Sequence, residues 1–393
     1  MRNGDKHNNK KNRNTSTKHT GVNSSINLGL PPILDVNSVK TIGITQKSDI
    51  KLKNVIDYQV KSQADIKAAL VHEKKRAKAI HALLKSLQPG YTVPIEASFQ
   101  GLNLSGRDME RVRFTENLFK HAKLRECRLR DAIFTHCDLS GVDFRKSDLT
   151  NVTFNGCNLN GADLRQCSLL NAQIIDSNLF AANLDHSILD QSMIDNCSMN
   201  AVSFYKTSCK GVKLSNSQIV HGFLASTDMT DTEMKNILFR DCTLNNTRFD
   251  RAKLDDCCFR ACDSFQEGPV FSDSIMSNIL IIDCELEEPQ FSGTHMSNSR
   301  LERIKINTAL LDGTVFKNVS FNQGVMTDCY ILEDAPTFTK CNLEHLTIDH
   351  AEFCNARFNE STFISTIILA SNFADWEMNN SQLDENTTID IDD

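Results

Sequence analysis

A five-residue apolar phase limits what this chain can fold into. It begins at Phe99, advances through Leu104, Met109, Phe114, Phe119, Leu124, Leu129 and Phe134, and holds to Phe259. These are 33 positions, all Leu, Phe, Ile or Met except Cys209. After an interruption at Gln266-Glu267-Gly268-Pro269 it resumes at Phe271 for 13 positions to Ile331. A second slip at Asp334-Ala335-Pro336 is followed by ten more, from Phe338 to Leu383. Two residues before each central position stands a second class, mostly small, as at Ala97, Ala122, Cys127, Ala132, Cys137, Val142 and Ser147. The remaining positions are polar. A helix repeats every 3.6 residues and a half-buried strand every two, so neither fits the pattern. A coil that turns a corner every five residues does fit, with the small and large residues inside and three polar positions outside. Internal repetition of this kind is the mark of a solenoid.

The unit Ala162-Asp163-Leu164-Arg165-Gln166 has the form A(D/N)LXX. Over roughly residues 95–385 the sequence resembles the pentapeptide-repeat proteins. The resemblance implies an all-β fold, a right-handed quadrilateral β-helix with four pentapeptides per coil. Phe114, Phe134 and Phe154 lie 20 residues apart, as do Phe99 and Phe119, Phe239 and Phe259, Phe338 and Phe358, and Phe353 and Phe373. Aromatic rings stacked on one wall account for that spacing. About 14 coils at roughly 4.8 Å each predict a tube on the order of 65 Å long. Each coil bonds only to its neighbours, so both ends need covers.

The composition divides the chain further. Residues 1–57 are rich in Asn, Ser, Thr and Lys, as in Asn8-Asn9-Lys10-Lys11-Asn12-Arg13-Asn14, and are expected to form a disordered tail. Residues 58–93 are read as an amphipathic helix capping the solenoid, with Ile66, Leu70, Ala77, Ile80, Leu84 and Leu87 on one stripe. Ser62 and Asp65 resemble a capping box, and Pro89-Gly90 stops the helix. Lys74, Lys75, Arg76, Lys78 and Lys85 form its opposite face, which makes an anionic membrane surface the rival partner for this helix. The solenoid is placed at 94–385 and an acidic C-terminal tail at 386–393. Trp376 occupies a small slot, which predicts a stack that ends there, with the ring closing the last coil or pairing it with a second copy.

Charge is graded along the chain. Residues 1–92 carry 17 Lys+Arg and 6 Asp+Glu, whereas residues 256–393 carry 7 and 24, a net −17. Most of the surface therefore has the wrong sign for nucleic acid. Arg125, Arg145 and Arg165 are 20 apart and should stack as a ladder, with Arg128 and Arg130 nearby. The acidic run contains Glu285, Glu287 and Glu288. These two groups are the candidate protein-binding surfaces. Eleven of the 14 cysteines fall in the small interior slot, where cysteine acts as a small hydrophobe, so they are expected to be reduced. The string Cys341, His345, His350, Cys354 looks like a metal site, but the frame points Cys341 inward and the others outward on successive walls.

No HExxH, paired CxxC, GxSxG elbow or phosphate-binding glycine loop occurs, so no catalytic residue, cofactor or metal is expected. A rigid rod without a cleft acts by presenting surface. The expectation is a non-enzymatic protein-binding scaffold. Its polar start, including Thr15-Ser16-Thr17, resembles that of pentapeptide-repeat effectors exported by type III or type IV secretion, whose partner is a host protein. With no Sec signal peptide and no apolar run long enough for a membrane helix, the expected route is from bacterial cytoplasm into the host cell. The alternative is a DNA-mimicking regulator of a type II topoisomerase, favoured by the acidic C-terminal part and the two interruptions.

Overall fold

The computed structural model describes residues 74–75, 78–79, 81–85 and 87–391. Two compact units divide the chain, Met1–Lys75 and Arg76–Asp393. Of the first, Lys74 and Lys75 are described, both helical and exposed. The tail expected over 1–57 and the stripe residues Ile66, Leu70, Ala77 and Ile80 lie outside the described residues.

The second unit is a right-handed all-β solenoid of about 14 turns. Strands are short, as in Arg113–Thr115, Ile133–Thr135 and Thr153–Asn155, and every pairing between strands is parallel. Phe114 lies over Phe134 and Phe134 over Phe154, one coil apart. Four walls result. Wall 1 carries Phe99 and Phe119, wall 2 Leu104 and Leu124, wall 3 Met109 and Leu129, and wall 4 Phe114 and Phe134, all fully buried.

Corners follow from backbone geometry. Arg111, Glu116, His121 and Glu126 have φ of 56°, 55°, 56° and 55°, and Gly101, Gly106 and Gly141 take the same role elsewhere. For an L-residue this left-handed region costs about 1–2 kcal/mol. In exchange the corner N–H points along the tube to the next coil, Arg111 to the Arg130 carbonyl at 2.8 Å and His121 to that of Ser140 at 2.9 Å. The Ala122 N–H closes the turn on the Phe119 carbonyl at 2.7 Å, the bond of a type II turn. An unmade buried bond would cost about 1–3 kcal/mol, so the strain is offset.

The lumen is filled by the repeated side chains. Rings stack at 4.6 Å for Phe99 and Phe119, 4.8 Å for Phe114 and Phe134, and 5.1 Å for Phe134 and Phe154. Phe353 and Phe373 depart from this and meet edge to face, at 77°. The two slips each add two residues to one coil without breaking the columns. Phe249 stacks on Phe271 at 5.0 Å and Phe316 on Phe338 at 4.9 Å, pairs that are 22 residues apart. Cys209, which interrupts the frame, borders a void in the lumen with Met199, Phe204, Val212 and Met229. Many interior hydroxyls bond to backbone, Thr227 donating to the Phe204 carbonyl at 2.8 Å and Thr247 to that of Leu224 at 3.0 Å, whereas the buried Ser192 and Ser274 hydroxyls have no protein partner.

The ends differ from the sequence reading in one respect. At the start, residues 81–85 are helical, Leu83 and Leu84 are half-buried against the core, and Leu87 is buried. Arg107 donates to the Leu84 carbonyl at 3.1 Å. These leucines pack against the first coils of the solenoid. At the far end Trp376 meets Phe373, Phe358 and Phe363 edge to face at 5.3, 5.8 and 6.4 Å. The stack does not stop there. Glu377–Asn379 and Gln382–Leu383 continue it. Thr388–Ile391, expected within an acidic tail, pairs parallel with Ile367–Ser371 across a register shift. The Thr388 N–H reaches the Thr366 carbonyl at 2.9 Å, because an open coil edge still offers acceptors.

All 14 cysteines are free, and all but Cys258 and Cys354 are buried. Burial raises the Cys127 thiol to about 11 and those of Cys167 and Cys329 to about 12. A thiol reagent at pH 8 should therefore modify no more than Cys258 and Cys354 in the folded protein and all 14 after denaturation. Phe134→Ala, which empties the middle of a three-ring stack, should lower unfolding free energy by about 3–5 kcal/mol in a urea titration.

Candidate interaction surface

Outward side chains form columns because each strand lies in register over the last. On wall 2 one column runs through Lys123, Asp143, Asp163, Asn183, Ser203, Phe223, Thr243, Asp263, Glu285 and Lys305. Two residues further along each coil runs a second, which contains Arg125, Arg145, Arg165, Tyr205, Phe265 and Glu287. The arginine ladder and the acidic run thus share one wall, with Arg165 and Glu287 six coils apart. Glu288 stands at the corner beyond Glu287, with φ 50°. Arg128 and Arg130 belong to wall 3.

The arginines stack as the spacing implies, but not as bare charge. Asp143 and Asp163 are interleaved with them. Arg125 pairs with Asp143, Arg145 spans Asp143 at 3.0 Å and Asp163 at 3.1 Å, and Arg165 forks onto Asp163 at 2.8 and 2.7 Å. On wall 3 Arg128 pairs with Asp108, whose carboxyl it holds below the usual range, and Arg130 lies 3.7 Å from Asp148. At the acidic end Glu285 pairs with Lys305, and Glu287 accepts a bond from the Asn307 amide at 2.7 Å. Such exposed pairs add little stability, about 0–1 kcal/mol each; their effect is to hold side chains in place.

Sequence reasoning missed the outward apolar residues. Phe223 is 44% exposed in the middle of wall 2. Tyr205 lies against it at 5.7 Å, His186 meets Tyr205 edge-on at 5.6 Å, and the Lys206 ammonium sits 5.0 Å from the Tyr205 ring. Phe265 and Leu332, 67% and 70% exposed, tip the two slips. The signal was present: each is a large apolar residue off the inward phase.

Both tips are held by the preceding coil. The Phe265 N–H donates to the Asn245 side chain at 3.0 Å, and Asn246 N–H to the Glu267 carbonyl at 2.7 Å. Gly268 is needed beside them, since a Cβ there would lie 2.1 Å from the Glu287 carbonyl oxygen. Asp312 accepts the N–H groups of Leu332, Glu333 and Asp334 at 3.0, 2.6 and 2.8 Å. Those backbone donors hold its carboxyl below the ordinary range.

The cysteine–histidine string does not converge. Cys341 is buried, whereas His345 and His350 are corner residues, with φ of 52° and 49°. Among the described residues no three His, Cys, Asp or Glu side chains are grouped to hold a metal ion. No described helix is long and apolar enough to cross a membrane.

Residues 95–131 and 118–151 match the family described as pentapeptide repeats (8 copies), and residues 147–224 match the pentapeptide repeat region. No curated protein matches the sequence. Among solved structures, the plasmid-mediated fluoroquinolone resistance protein QnrB1 is similar at 18% identity, with 48% of this chain and 91% of that one covered and a TM-score of 0.29. HetL of the cyanobacterium Nostoc sp. strain PCC 7120, involved in heterocyst differentiation regulation, is similar at 13% identity, with 73% and 87% covered and a TM-score of 0.19. The periplasmic alginate epimerase AlgG is similar at 8% identity, with 72% and 77% covered and a TM-score of 0.33. The motif matches thus cover residues 95–224 as pentapeptide repeats, and the same five-residue corner geometry recurs in the coils that follow.

Proposed function

We propose that this chain is a non-enzymatic scaffold that binds another protein through its acidic C-terminal third. Pentapeptide-repeat proteins are in general non-catalytic scaffolds. The observation that carries the reading is the pair of pinned tips. Phe265 and Leu332 stand in water on backbone fixed by Asn245 and Asp312. Apolar anchors ordered before contact lose little entropy on binding, which is what concentrates binding energy in a few residues. The net −17 of residues 256–393 selects a basic partner and speeds its approach.

The setting we infer is that of a secreted effector acting on a host protein. Its support is the polar start, residues 1–57. A reporter fused to residues 1–60 should be translocated by a secretion-competent bacterium; a retained fusion removes that setting and leaves the scaffold. The acidic third also favours a second reading, a topoisomerase regulator that mimics DNA. Strong inhibition of gyrase supercoiling by micromolar protein would put that reading first.

Capture of the partner by immobilised protein should fall at least about tenfold in a Phe265→Ala/Leu332→Ala double variant, two anchors at roughly 1–2 kcal/mol each. Unchanged capture would remove the tips from the contact. Asp312 gives a pH test. Its lowered folded pKa adds stability above the unfolded value of about 3.9, lost as pH falls through the folded value. Amide exchange at Leu332, Glu333 and Asp334, corrected for intrinsic rate, should be slow at pH 7. It should quicken only at a pH below the ordinary carboxylate range and be fast at both in Asp312→Ala.

A further inference from the structure

Between its basic and acidic stretches wall 2 carries exposed rings, and Phe265 of the first slip stands on the same wall two coils beyond Phe223. Phe223 lies on a flat strand face between Ser203 and Thr243, with Tyr205 beside it. Counting coils from Phe223 gives a symmetry. Three coils toward the start stand Asp163 and Arg165; three coils toward the end stand Glu285 and Glu287. Four coils away stand Asp143 and Arg145 on one side and Lys305 and Asn307 on the other.

A two-fold axis lying across the wall at Phe223 reverses the coil order and leaves each column over itself. Phe223 then faces Phe223 of a second copy. Arg165 faces Glu287, and Asp143 faces Lys305, each twice. One opposition is of like sign, Asp163 to Glu285. Both are already compensated within their own chain, Asp163 by Arg145 and Arg165, and Glu285 by Lys305. A parallel arrangement, about an axis along the tube, would instead lay one column on the other and set Glu287 on Glu285 of the same coil.

We propose that a second copy of this chain docks antiparallel on wall 2, in an isologous dimer centred on Phe223. Rings at the centre and charges toward the rim are the usual anatomy of an interface. The wall between Arg145 and Lys305 is about 38 Å long and roughly 10 Å wide. That is about half of the ~800 Å² per partner of a standard interface, the size of a weak, transient contact.

Sedimentation velocity of the full chain from about 1 to 100 μM should show a concentration-dependent dimer. Arg165→Glu and Glu287→Arg should each weaken self-association at least about tenfold. An equimolar mixture of the two variants should recover it, since the carboxylate introduced in one then faces the guanidinium introduced in the other. Phe223→Cys should cross-link to its copy under mild oxidation, and Phe180→Cys, on wall 1, should not. Monomer at 100 μM would overturn the proposal. So would a mixture no stronger than either variant alone, or a dimer whose Phe223→Cys form stays unlinked, which would place the contact elsewhere, such as the solenoid end.

Discussion

The solenoid depends on a backbone constraint met at every corner: the residue that turns the chain must enter the left-handed region so that its N–H points along the tube. Arg111, His121 and Glu126 all do this, and each finds a carbonyl one coil away. The strain of one corner is comparable to the cost of one missing buried bond, so neither term alone decides the fold. Repetition decides it. A coil laid on a formed coil meets its acceptors in place, and its Leu or Phe side chains land on rings already stacked. The structure is therefore close to one-dimensional, each coil stabilised by the coil before it and the coil after.

The same constraint shapes what the surface can do. With small and large residues spent on the lumen, three positions per unit remain for chemistry, and all face outward on flat walls. Each coil repeats that outward layout over the last, which gathers like positions into columns. Lys123, Asp143 and Asp163 form one such column, and Arg125, Arg145 and Arg165 another. Cross-linked as they are by ion pairs, they form a fixed charge pattern along the wall.

Much of this was legible in the sequence, and the reason is physical. The five-residue phase maps one-to-one onto inward positions, so the core, the stacked phenylalanines and the interior cysteines follow from counting. Wall assignment follows as well, once four units make a coil. The charge state of the arginine ladder did not follow, because Asp143 and Asp163 stand two residues earlier in the same units and read as ordinary polar filler. The strand Thr388–Ile391 was hidden too, because it lies past Leu383, the last residue in phase, and pairs through backbone. The pinned tips needed the structure, since Asn245 and Asp312 precede the loops they hold by a full coil.

The two 22-residue coils show where this architecture tolerates change. Phe249 still stacks on Phe271, and Phe316 on Phe338, although extra residues intervene. Additions at a bend leave every column intact above and below. Corners are thus ports where evolution, or a protein engineer, can graft new segments onto the rod without recalibrating its spacing.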